Sequence, residues 1–399
     1  MLGVVVDDLP RWRRRRRWPQ RLALSAAIVG LTAAASGTAG SYFVHRLTAN
    51  VQKVALPGLT QTGANPTAPA AEDTGPRPIE NYLMIGNDSR DGADPNDADF
   101  GGIGSESKTQ GLNSDTIMVL RFDPNTGRSA LLSIPRDTWA LIQTAKPFHD
   151  RINGAFGEGR DVLVRTITND LGIPINHYVE VNFAGFKTMV DAIGGVSMFL
   201  LYPVRDSHTG LEILKAGCVT LDGVQARQWV RSRYLQYQKN GKWVSDESSD
   251  YGRMSRQQDF VRRAFTKVVQ RSSNPAVAAD VLKAATKALT VEQGYDMAGL
   301  TRLARRLANA SIDTYTLPTN PKKISGKDVL EIDAAKAAPI LTYCKSVTNA
   351  TPVTGVPALG PGAAGAATPV VLPAILVDEA PPETTPANGV VPDASQTCP

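Results

Sequence analysis

The chain has 399 residues, enough for one large domain with additional segments, and a formal net charge of +5. Residues 1–21 contain seven arginines and two aspartates, so this short segment alone carries the whole excess of positive charge. The remaining chain is balanced in charge, which argues against a nucleic-acid-binding protein.

A membrane anchor is predicted close to the N-terminus. The basic segment 1–21 precedes an uncharged run over residues 22–44, and these 23 residues are enough to cross a bilayer as a helix. Because basic residues stay on the cytoplasmic side, we predict a cytoplasmic stub, a single-pass transmembrane helix and an extracytoplasmic remainder. A cleaved signal peptide is the alternative, since residues 33–36 offer small side chains for cleavage, but the length of the run favours the anchor.

Cysteine and histidine usage limits the kinds of site that the chain can form. An extracytoplasmic location permits a disulfide, but three cysteines (Cys218, Cys344 and Cys398) leave one unpaired and the pairing undecided. The cysteines show no metal-binding spacing, and none of the four histidines forms a metal-like pair, so a zinc site is not expected.

A flexible stalk rich in proline and small polar residues is predicted over residues 45–78, followed by a folded domain over residues 79–345. The apolar run 82–86 predicts a buried strand that ends in a polar loop. Residues 115–122 and 129–134 predict two more strands. Between them, Pro124 and Gly127 suit a tight turn, so the two strands should form a hairpin.

Helices and strands alternate through the rest of the domain. Helices are predicted from residue 153 to 171, after the capping residue Asn182, over 275–289 and over 297–310; strands are predicted over 177–181, 196–201 and 314–317. This mixture with an early hairpin indicates an α/β fold, an α-β-α sandwich around a mixed central sheet.

The C-terminal residues 346–399 contain no lysine, arginine or aromatic residue, and proline, alanine, glycine and threonine dominate. Such a composition lacks the apolar surface needed for a core, so we predict a disordered, low-complexity tail that is dispensable for the fold.

Two groups of arginines flank a polar segment within residues 225–258. Residues 226–230 predict a helical turn that leads into Arg231 and Arg233, which would share a face if extended. A polar loop over 234–249 should follow, and then a helix that begins near Asp250. Arg253 and Gln257 are spaced i and i+4 on that helix, so three guanidiniums and an amide are predicted to converge on a phosphate.

The same helix carries an apolar stripe and further arginines. Met254, Val261, Phe265 and Val268 are predicted to seat the helix on a core. The remaining arginines are interpreted as a solvated basic surface; they are Arg256, Arg262 and Arg263.

Two carboxylates lie at the ends of neighbouring predicted strands. Asp88 follows the first strand and Asp115 begins the second, so antiparallel pairing would place both at one edge of the sheet. Mg²⁺ takes few protein carboxylates and completes its shell with water and phosphate oxygens, so the pair suits a magnesium-bridged diphosphate. Arg136 falls at the same edge, and Arg90 and Arg151 are candidates to join it. The alternative is that the two aspartates are ordinary turn or cap residues.

An ordered series of motifs connects these observations. They are Gly86-Asn87-Asp88-Ser89-Arg90, Ser114-Asp115-Thr116, Ile134-Pro135-Arg136-Asp137, Arg151-Ile152-Asn153, Ile193-Gly194-Gly195-Val196, Val230-Arg231-Ser232-Arg233 and Asp250-Tyr251-Gly252-Arg253-Met254-Ser255-Arg256-Gln257-Gln258. In this order they resemble the LytR-CpsA-Psr family of cell-wall enzymes, over about residues 79–270.

The resemblance implies an α-β-α sandwich with a long apolar pocket for a lipid. It also implies a magnesium-dependent phosphotransferase that moves a glycopolymer from a polyprenyl diphosphate carrier to peptidoglycan, usually to the 6-hydroxyl of N-acetylmuramic acid. By motif position, Asp88 and Asp115 would hold Mg²⁺, and Asp250 would be the base acting with Arg136 and Arg253. The residues expected to contact the diphosphate are Arg90, Arg136, Arg151, Arg231, Arg233, Arg253 and Gln257.

The chain departs from the family pattern in an insertion over residues 91–112, in Gly154-Ala155-Phe156, and in a tail where some relatives carry an accessory domain. Two other functions remain open at the same site: hydrolysis of the polyprenyl diphosphate by water, and a non-enzymatic lipid-diphosphate sensor or scaffold. The sequence leaves the glycopolymer, the acceptor and the oligomeric state undetermined.

Overall fold

The computed structural model describes residues 51–60, 78–87, 114–272, 274–295 and 312–345, with residues 303, 307, 382, 384, 389–392, 396 and 398 in addition. The predicted stub, anchor and insertion lie outside these residues, as do Asp88 and Arg90 and most of the predicted helix over 297–310. Among the described helices, none combines the length and the apolar character that a membrane crossing requires.

The described elements alternate between short strands and helices. The strands are β1 (Gln52–Val54), β2 (Glu80–Asn87), β3 (Ser114–Phe122), β4 (Ser129–Ile134), β5 (Trp139–Ile142), β6 (Phe148–Arg151), β7 (His177–Val181), β8 (Val196–Leu200), β9 (Val204–Asp206), β10 (Leu211–Ile213), β11 (Gly217–Leu221), β12 (Gln236–Lys239), β13 (Lys242–Ser245), β14 (Leu289–Glu292), β15 (Ile312–Thr316), β16 (Thr319–Ile324) and β17 (Lys327–Ile332). The helices are α1 (Ile152–Glu158), α2 (Arg160–Asn169), α3 (Phe183–Ala192), α4 (Gly223–Arg231), α5 (Ser249–Ser272), α6 (Pro275–Ala288) and α7 (Ala334–Lys345).

A seven-stranded mixed sheet forms the centre, with the strand order β1-β14-β7-β2-β3-β4-β15. Strand β3 pairs antiparallel with both β2 and β4, while β2 pairs parallel with β7. The hairpin predicted around residues 123–127 is therefore confirmed. Its turn is held by the Asp123 carboxylate, which accepts from the Asn125 N–H at 2.8 Å, and Gly127 supplies the positive φ of 71°.

Helices pack on both faces of this sheet. Alternate residues of each central strand point to opposite sides, so the strands present apolar side chains to both layers of helices. Leu83 and Ile85 belong to a core that also contains residues of α1, α2 and α7. Tyr82, from the opposite face of the same strand, packs with Met118 and Leu120 in a core that Phe265 of α5 contacts. The predicted α-β-α sandwich with a mixed central sheet is thus confirmed.

A second core lies between α3, α4, α5 and the strands β8 to β11. Trp229 of α4 and Phe260 of α5 are buried in it. Asn182 begins α3 as predicted, since its side chain accepts from the Gly185 N–H at 2.7 Å. A small sheet with the order β10-β9-β12-β13 packs at this side of the domain.

Two local predictions in this region are wrong. The single helix predicted from residue 153 to 171 is broken at Gly159, whose φ of 140° ends α1 and separates it from α2. The segment predicted as a loop over 234–249 contains the hairpin β12–β13. Its turn is Asn240-Gly241, both with positive φ, which is the residue pair preferred in two-residue hairpin turns.

The predictions of a flexible stalk over residues 45–78 and of a disordered tail over residues 346–399 do not hold for those of their residues that the structure describes. In the stalk, β1 pairs with β14 at the edge of the central sheet, so residues 52–54 are part of the domain. In the tail, Cys398 forms a disulfide with Cys218, with Cα atoms 5.5 Å apart, and Cys344 is free and buried. Val390 packs against the second core, and the Tyr315 hydroxyl donates to the Pro382 carbonyl at 3.0 Å. These tail residues therefore dock on the domain.

Candidate active site

An ion-paired cluster forms where β3 begins and β4 ends. The register pairs Ile117 with Ile134, so continuation of the two antiparallel strands brings Asp115 opposite Arg136. Nη1 of Arg136 lies 2.6 Å from Oδ1 of Asp115. Nη2 of Arg233 lies 3.7 Å from the same oxygen. The sequence prediction that Arg136 lies at the same edge of the sheet as Asp115 agrees with this geometry.

A second carboxylate extends the cluster to α5. Helix α5 begins at Ser249, so Asp250 lies in its first turn rather than at its cap. Oδ1 of Asp250 is 3.0 Å from Nε of Arg233 and 2.9 Å from Nη2 of Arg253. Arg233 therefore bridges the two aspartates, and three guanidiniums surround two carboxylates.

The charges of the cluster support one another despite burial. Burial opposes the ionised form of Asp115, but the guanidiniums of Arg253, Arg136 and Arg233 outweigh it and lower the pKa of this carboxyl. Burial also opposes the charged form of Arg136, and Asp115 outweighs it and raises the pKa of that guanidinium. Arg253 is only 3% exposed, and burial lowers its pKa to about 10, so it stays charged at neutral pH. The cluster thus presents fixed positive charge with the ionised Asp115 carboxylate beside it.

Arg231 and Gln257 lie beside the cluster, but not in the way that the sequence suggested. Arg231 ends helix α4 instead of lying in an extended segment, and its guanidinium stacks 4.6 Å above the ring of Phe183. Nε2 of Gln257 donates to Oγ1 of Thr116 at 2.9 Å and to the Val230 carbonyl at 3.0 Å. The amide nitrogen of Gln257 is therefore engaged in holding α5, β3 and the end of α4 together.

Arg151 lies at the edge of the cluster. Its Nε and Nη2 donate to the Asp328 carbonyl at 3.0 and 2.6 Å, which ties it to β17. Asp137 lies 3.5 Å from Arg151 and 3.6 Å from Arg136, so it connects Arg151 to the other arginines. Two predicted members, Asp88 and Arg90, lie outside the described residues.

A cavity of about 300 Å³ opens beside the cluster. It lies between α3, α4, α5 and the face of the sheet formed by β2, β3 and β7. Asp115, Arg231 and Arg253 line one part of it, and most of the other lining residues are apolar. The cavity therefore combines a charged part with apolar walls.

The apolar part extends away from the charged part along two elements. On the sheet, lining residues continue from Thr116 to Leu120, a distance of about 13 Å at ~3.3 Å per residue. On α5 they continue from Arg253 to Val268, which is roughly 22 Å at ~1.5 Å per residue. Val261 and Phe265 belong to this wall and also pack against the core around Tyr82, so the stripe seats α5 on a core as predicted and in addition lines the cavity.

The described residues meet part of the requirement for Mg²⁺. Asp115 is an ionised carboxylate beside a site for anions, which is the kind of ligand that Mg²⁺ takes together with phosphate oxygens. Asp88 is the other predicted ligand and is not among the described residues. Within the described part of the chain, no group of three or more histidine, cysteine, aspartate and glutamate side chains could hold a metal ion. A Mg²⁺ site made of a single protein carboxylate and substrate phosphates does not require such a group.

Sequence reasoning missed several residues that shape the site. Arg227 is buried on α4, one turn before Arg231, and lines the cavity; the i and i+4 spacing was the available signal. Asn87, the residue that precedes Asp88, donates to the buried carboxylate of Glu180. Glu180 also accepts from Arg160 Nη2 at 2.8 Å and from the Tyr178 hydroxyl at 2.7 Å, which fixes the end of β2.

The interpretation of three α5 arginines as a solvated surface is wrong for Arg256. Its side chain is 1% exposed, and its Nη1 lies 3.1 Å from Asp246 while its Nη2 donates to the Ser232 carbonyl at 2.6 Å. The Val390 N–H donates to the same carboxylate at 3.0 Å. Arg256 therefore braces the segments that carry Arg233 and Asp250. Arg262 and Arg263 both pair with Asp259.

Comparison with a protein-family model matches the LytR_cpsA_psr family over residues 59–346, more than half of the chain. Among curated proteins, the chain is 32% identical over 263 residues to the probable cell wall biosynthesis protein LcpB of Corynebacterium glutamicum, covering 65% of this chain and 58% of LcpB. It is 36% identical over 190 residues to the polyisoprenyl-teichoic acid–peptidoglycan teichoic acid transferase TagU of Bacillus anthracis, covering 46% of this chain and 57% of TagU. The chain thus spans a little over half the length of these relatives.

Solved structures with the same fold include the LytR-Csp2A-Psr enzyme from Actinomyces oris, with a TM-score of 0.55 and 22% identity. That match covers 74% of this chain and 96% of the other. TagT bound to LI-WTA matches with a TM-score of 0.51 and 19% identity, over 73% of this chain and 98% of the other. At these identities the structures establish the shared fold.

Proposed function

The chain belongs to the LytR-CpsA-Psr family, and on that premise we propose that it transfers a glycopolymer from a polyprenyl diphosphate carrier to peptidoglycan. The observation that carries the proposal is a cavity with apolar walls that is also lined by Asp115 and Arg253, the two members of the cluster that pair with Arg136, Arg233 and Asp250. A lipid chain with a diphosphate at one end needs this combination, since its tail is best removed from water and its head carries negative charge.

The apolar walls account for lipid binding. Burial of apolar surface contributes roughly 25 cal/mol per Å², so a polyprenyl chain that lies along β3 and α5 would gain most of its affinity there. Phe183, Phe186 and Phe265 line this part of the cavity. The charged part of the cavity then holds the diphosphate at one end of the lipid.

The arginines account for binding and activation of the diphosphate. Each guanidinium presents a planar fork that holds two phosphate oxygens. Arg253 is the most buried of the three, so its charge is the least screened by water. Negative charge that develops on the leaving polyprenyl phosphate would be stabilised by groups already in place, which is the main contribution expected for this chemistry.

The proposed reaction transfers one phosphoryl linkage. The oxygen of the acceptor sugar hydroxyl forms a bond to the polymer-linked phosphorus, and the bond from that phosphorus to the bridging oxygen breaks. Polyprenyl phosphate leaves with the bonding electrons. Asp250 is the group that we assign to take the hydroxyl proton; since its Oδ1 faces Arg233 and Arg253, the proton would go to Oδ2.

Magnesium dependence is part of the proposal. Asp115, together with Asp88, would hold Mg²⁺, and the bound ion would add positive charge against the diphosphate. Asp115 is suited to this because the surrounding arginines keep it ionised.

We further propose that the N-terminal segment 22–44 anchors the protein with its N-terminus in the cytoplasm. The disulfide between Cys218 and Cys398 supports an extracytoplasmic domain, because disulfides persist in oxidising compartments. Protease added to intact protoplasts should digest the domain, and protection would refute this orientation.

The reaction itself can be tested with the detergent-solubilised full chain, a labelled lipid-linked glycopolymer and isolated peptidoglycan. Mass spectrometry distinguishes three outcomes. Polymer joined to glycan supports transfer, free phosphorylated polymer indicates a hydrolase, and unchanged donor indicates a binding protein. The last two outcomes would each refute the proposed function.

A pair of matched variants tests the role of the arginine cluster in the same assay. Arg253→Lys keeps the positive charge but loses the fork, so donor affinity and the transfer rate should both fall at least tenfold or so. Arg262→Lys, on the same helix, is the control, because Arg262 is 41% exposed and pairs only with Asp259 among the contacts described. Equal and mild effects would show that the cluster is not the diphosphate site. Thermal melting of both variants checks that the fold survives.

A further inference from the structure

Two exposed rings pack against each other next to Arg233 of the ion-paired cluster. Tyr234 follows Arg233 directly, and its ring centroid lies 4.3 Å from that of His208 in the turn between β9 and β10. Tyr234 is 61% exposed and the His208 side chain is 64% exposed. Neither residue lines the lipid cavity. The pair is therefore exposed to solvent next to Arg233 and separate from the lining of the cavity.

A buried carboxylate holds this pair in place. Asp206 is 1% exposed and accepts from Oγ of Ser232 at 2.5 Å, from the Tyr234 N–H at 3.1 Å and from the His208 N–H at 2.9 Å. Burial opposes its ionised form, but these hydrogen bonds outweigh burial and lower the pKa of Asp206. One carboxylate thus fixes both ring-bearing segments relative to Arg233, so the rings are presented at a defined place and not on a free loop.

The strand that follows Tyr234 continues with side chains suited to polar rings. The register pairs Gln236 with Arg205 and Gln238 with Trp243, so these four side chains share one face of the small sheet. Nε of Arg205 donates to Oε1 of Gln236 at 2.8 Å, and its guanidinium stacks 4.3 Å above the Trp243 ring. Amide and guanidinium donors next to aromatic faces offer both hydrogen bonds and apolar contact.

We propose that Tyr234 and His208 bind a pyranose ring of the acceptor glycan beside the diphosphate. The assignment rests on the proposed transferase function. A pyranose has a face of C–H groups that packs on an aromatic ring and a rim of hydroxyls that take hydrogen bonds. The donor's lipid occupies the opposite side, towards α5 and β3, so the acceptor approaches from the side of Arg233 and Tyr234. Its hydroxyl then reaches Asp250, which pairs with Arg233 at 3.0 Å.

Steady-state transfer kinetics with the full chain test this proposal. Tyr234→Ala should raise the KM for isolated glycan strands by about tenfold, the upper range for loss of an aromatic contact. The KM for the lipid-linked donor should stay unchanged. Tyr234→Phe keeps the ring and should retain most of the glycan affinity that Tyr234→Ala loses. Leu214→Ala is the control for an exposed apolar side chain elsewhere, since Leu214 is 60% exposed outside this surface.

Three results would overturn the proposal. The KM for the glycan acceptor could be unchanged in Tyr234→Ala, the KM for the donor could rise there instead of the KM for the acceptor, or the KM for the acceptor could rise equally in Leu214→Ala. If the wild type gives no transfer at all, the proposed function fails first. The sugar site is then tested separately by calorimetric titration of glycan strands into the wild-type chain and Tyr234→Ala. Loss of binding only in Tyr234→Ala would support the sugar site, and equal binding would refute it.

Discussion

Replacement of Arg256 by methionine should destabilise the domain strongly. The substitution keeps most of the side-chain volume but removes a guanidinium that is 1% exposed and lies 3.1 Å from Asp246, itself 5% exposed. It also removes the donor to the Ser232 carbonyl. Breaking a buried ion pair by removing one partner typically costs about 3–5 kcal/mol, because the other charge stays buried.

The expected cost lies near the lower end of that range. Asp246 keeps the N–H and hydroxyl donors of Ser248 and the N–H of Val390, which continue to satisfy its oxygens. We therefore expect a loss of about 3 kcal/mol in the free energy of unfolding. At ~2 °C per kcal/mol for a large domain, the midpoint of thermal unfolding should fall by roughly 6 °C.

Urea unfolding of the full chain, followed by circular dichroism, measures this cost. Arg262→Met is the matched control, since Arg262 also pairs with an aspartate, at 2.8 Å, but is 41% exposed. Because Arg262 itself is exposed and Asp259 keeps its ion pair with Arg263, the loss of Arg262 should cost at most about 1 kcal/mol. Similar losses in both variants would refute the argument that burial of the Arg256 pair, and not the pair itself, determines the cost.

His177 lies 2.8 Å from Glu292; burial lowers its pKa, but the paired carboxylates raise it to about 9, above the unfolded value near ~6.5. Protonated His177 therefore contributes on the order of 3 kcal/mol to the free energy of unfolding, in full below about pH 6.5 and not at all once the pH has risen through 9. In His177→Gln, the free energy of unfolding should fall less between these pH values. Truncation after Lys345 removes the disulfide to Cys218 across 180 residues and should lower the thermal midpoint by several degrees, whereas an unchanged midpoint would restore the interpretation of a dispensable tail. Asp115→Asn should abolish magnesium-dependent transfer with a loss of stability of about 1 kcal/mol or less, and full activity of the wild type in EDTA would contradict the magnesium assignment.

Features set by local sequence were predictable. The turn after Asp123 and the cap at Asn182 each depend on residues within four positions of each other. The hairpin at Asn240-Gly241 was equally local, and its turn signal was overlooked because the flanking residues are polar. The site motifs were also visible, and Asp115, Arg136, Arg233, Arg253 and Asp250 do come together.

Features that depend on distant partners were not predictable. Val261, Phe265 and Val268 form an apolar stripe, and the same stripe would suit a filled core or the wall of a cavity. The periodicity of the sequence therefore cannot distinguish these two environments. Arg256 and Arg262 look alike in sequence, and only the position of Asp246 makes one of them buried. The pairing of Cys398 with Cys218 likewise depends on where the tail returns to the domain.

In the proposed function, one cavity holds the lipid along its apolar walls with the diphosphate at the arginines. Equilibrium binding of a long-chain polyprenyl diphosphate to the full chain tests it most directly, with Ala264→Phe placed in the apolar wall and Ala276→Phe on the exposed side of α6 as the control. Thermal melting confirms that each variant is folded. Ala264→Phe should weaken binding of the long-chain diphosphate about tenfold or more and leave binding of a short-chain diphosphate unchanged. Ala276→Phe should leave the binding of both unchanged. Unaltered long-chain binding by folded Ala264→Phe would contradict the proposed function.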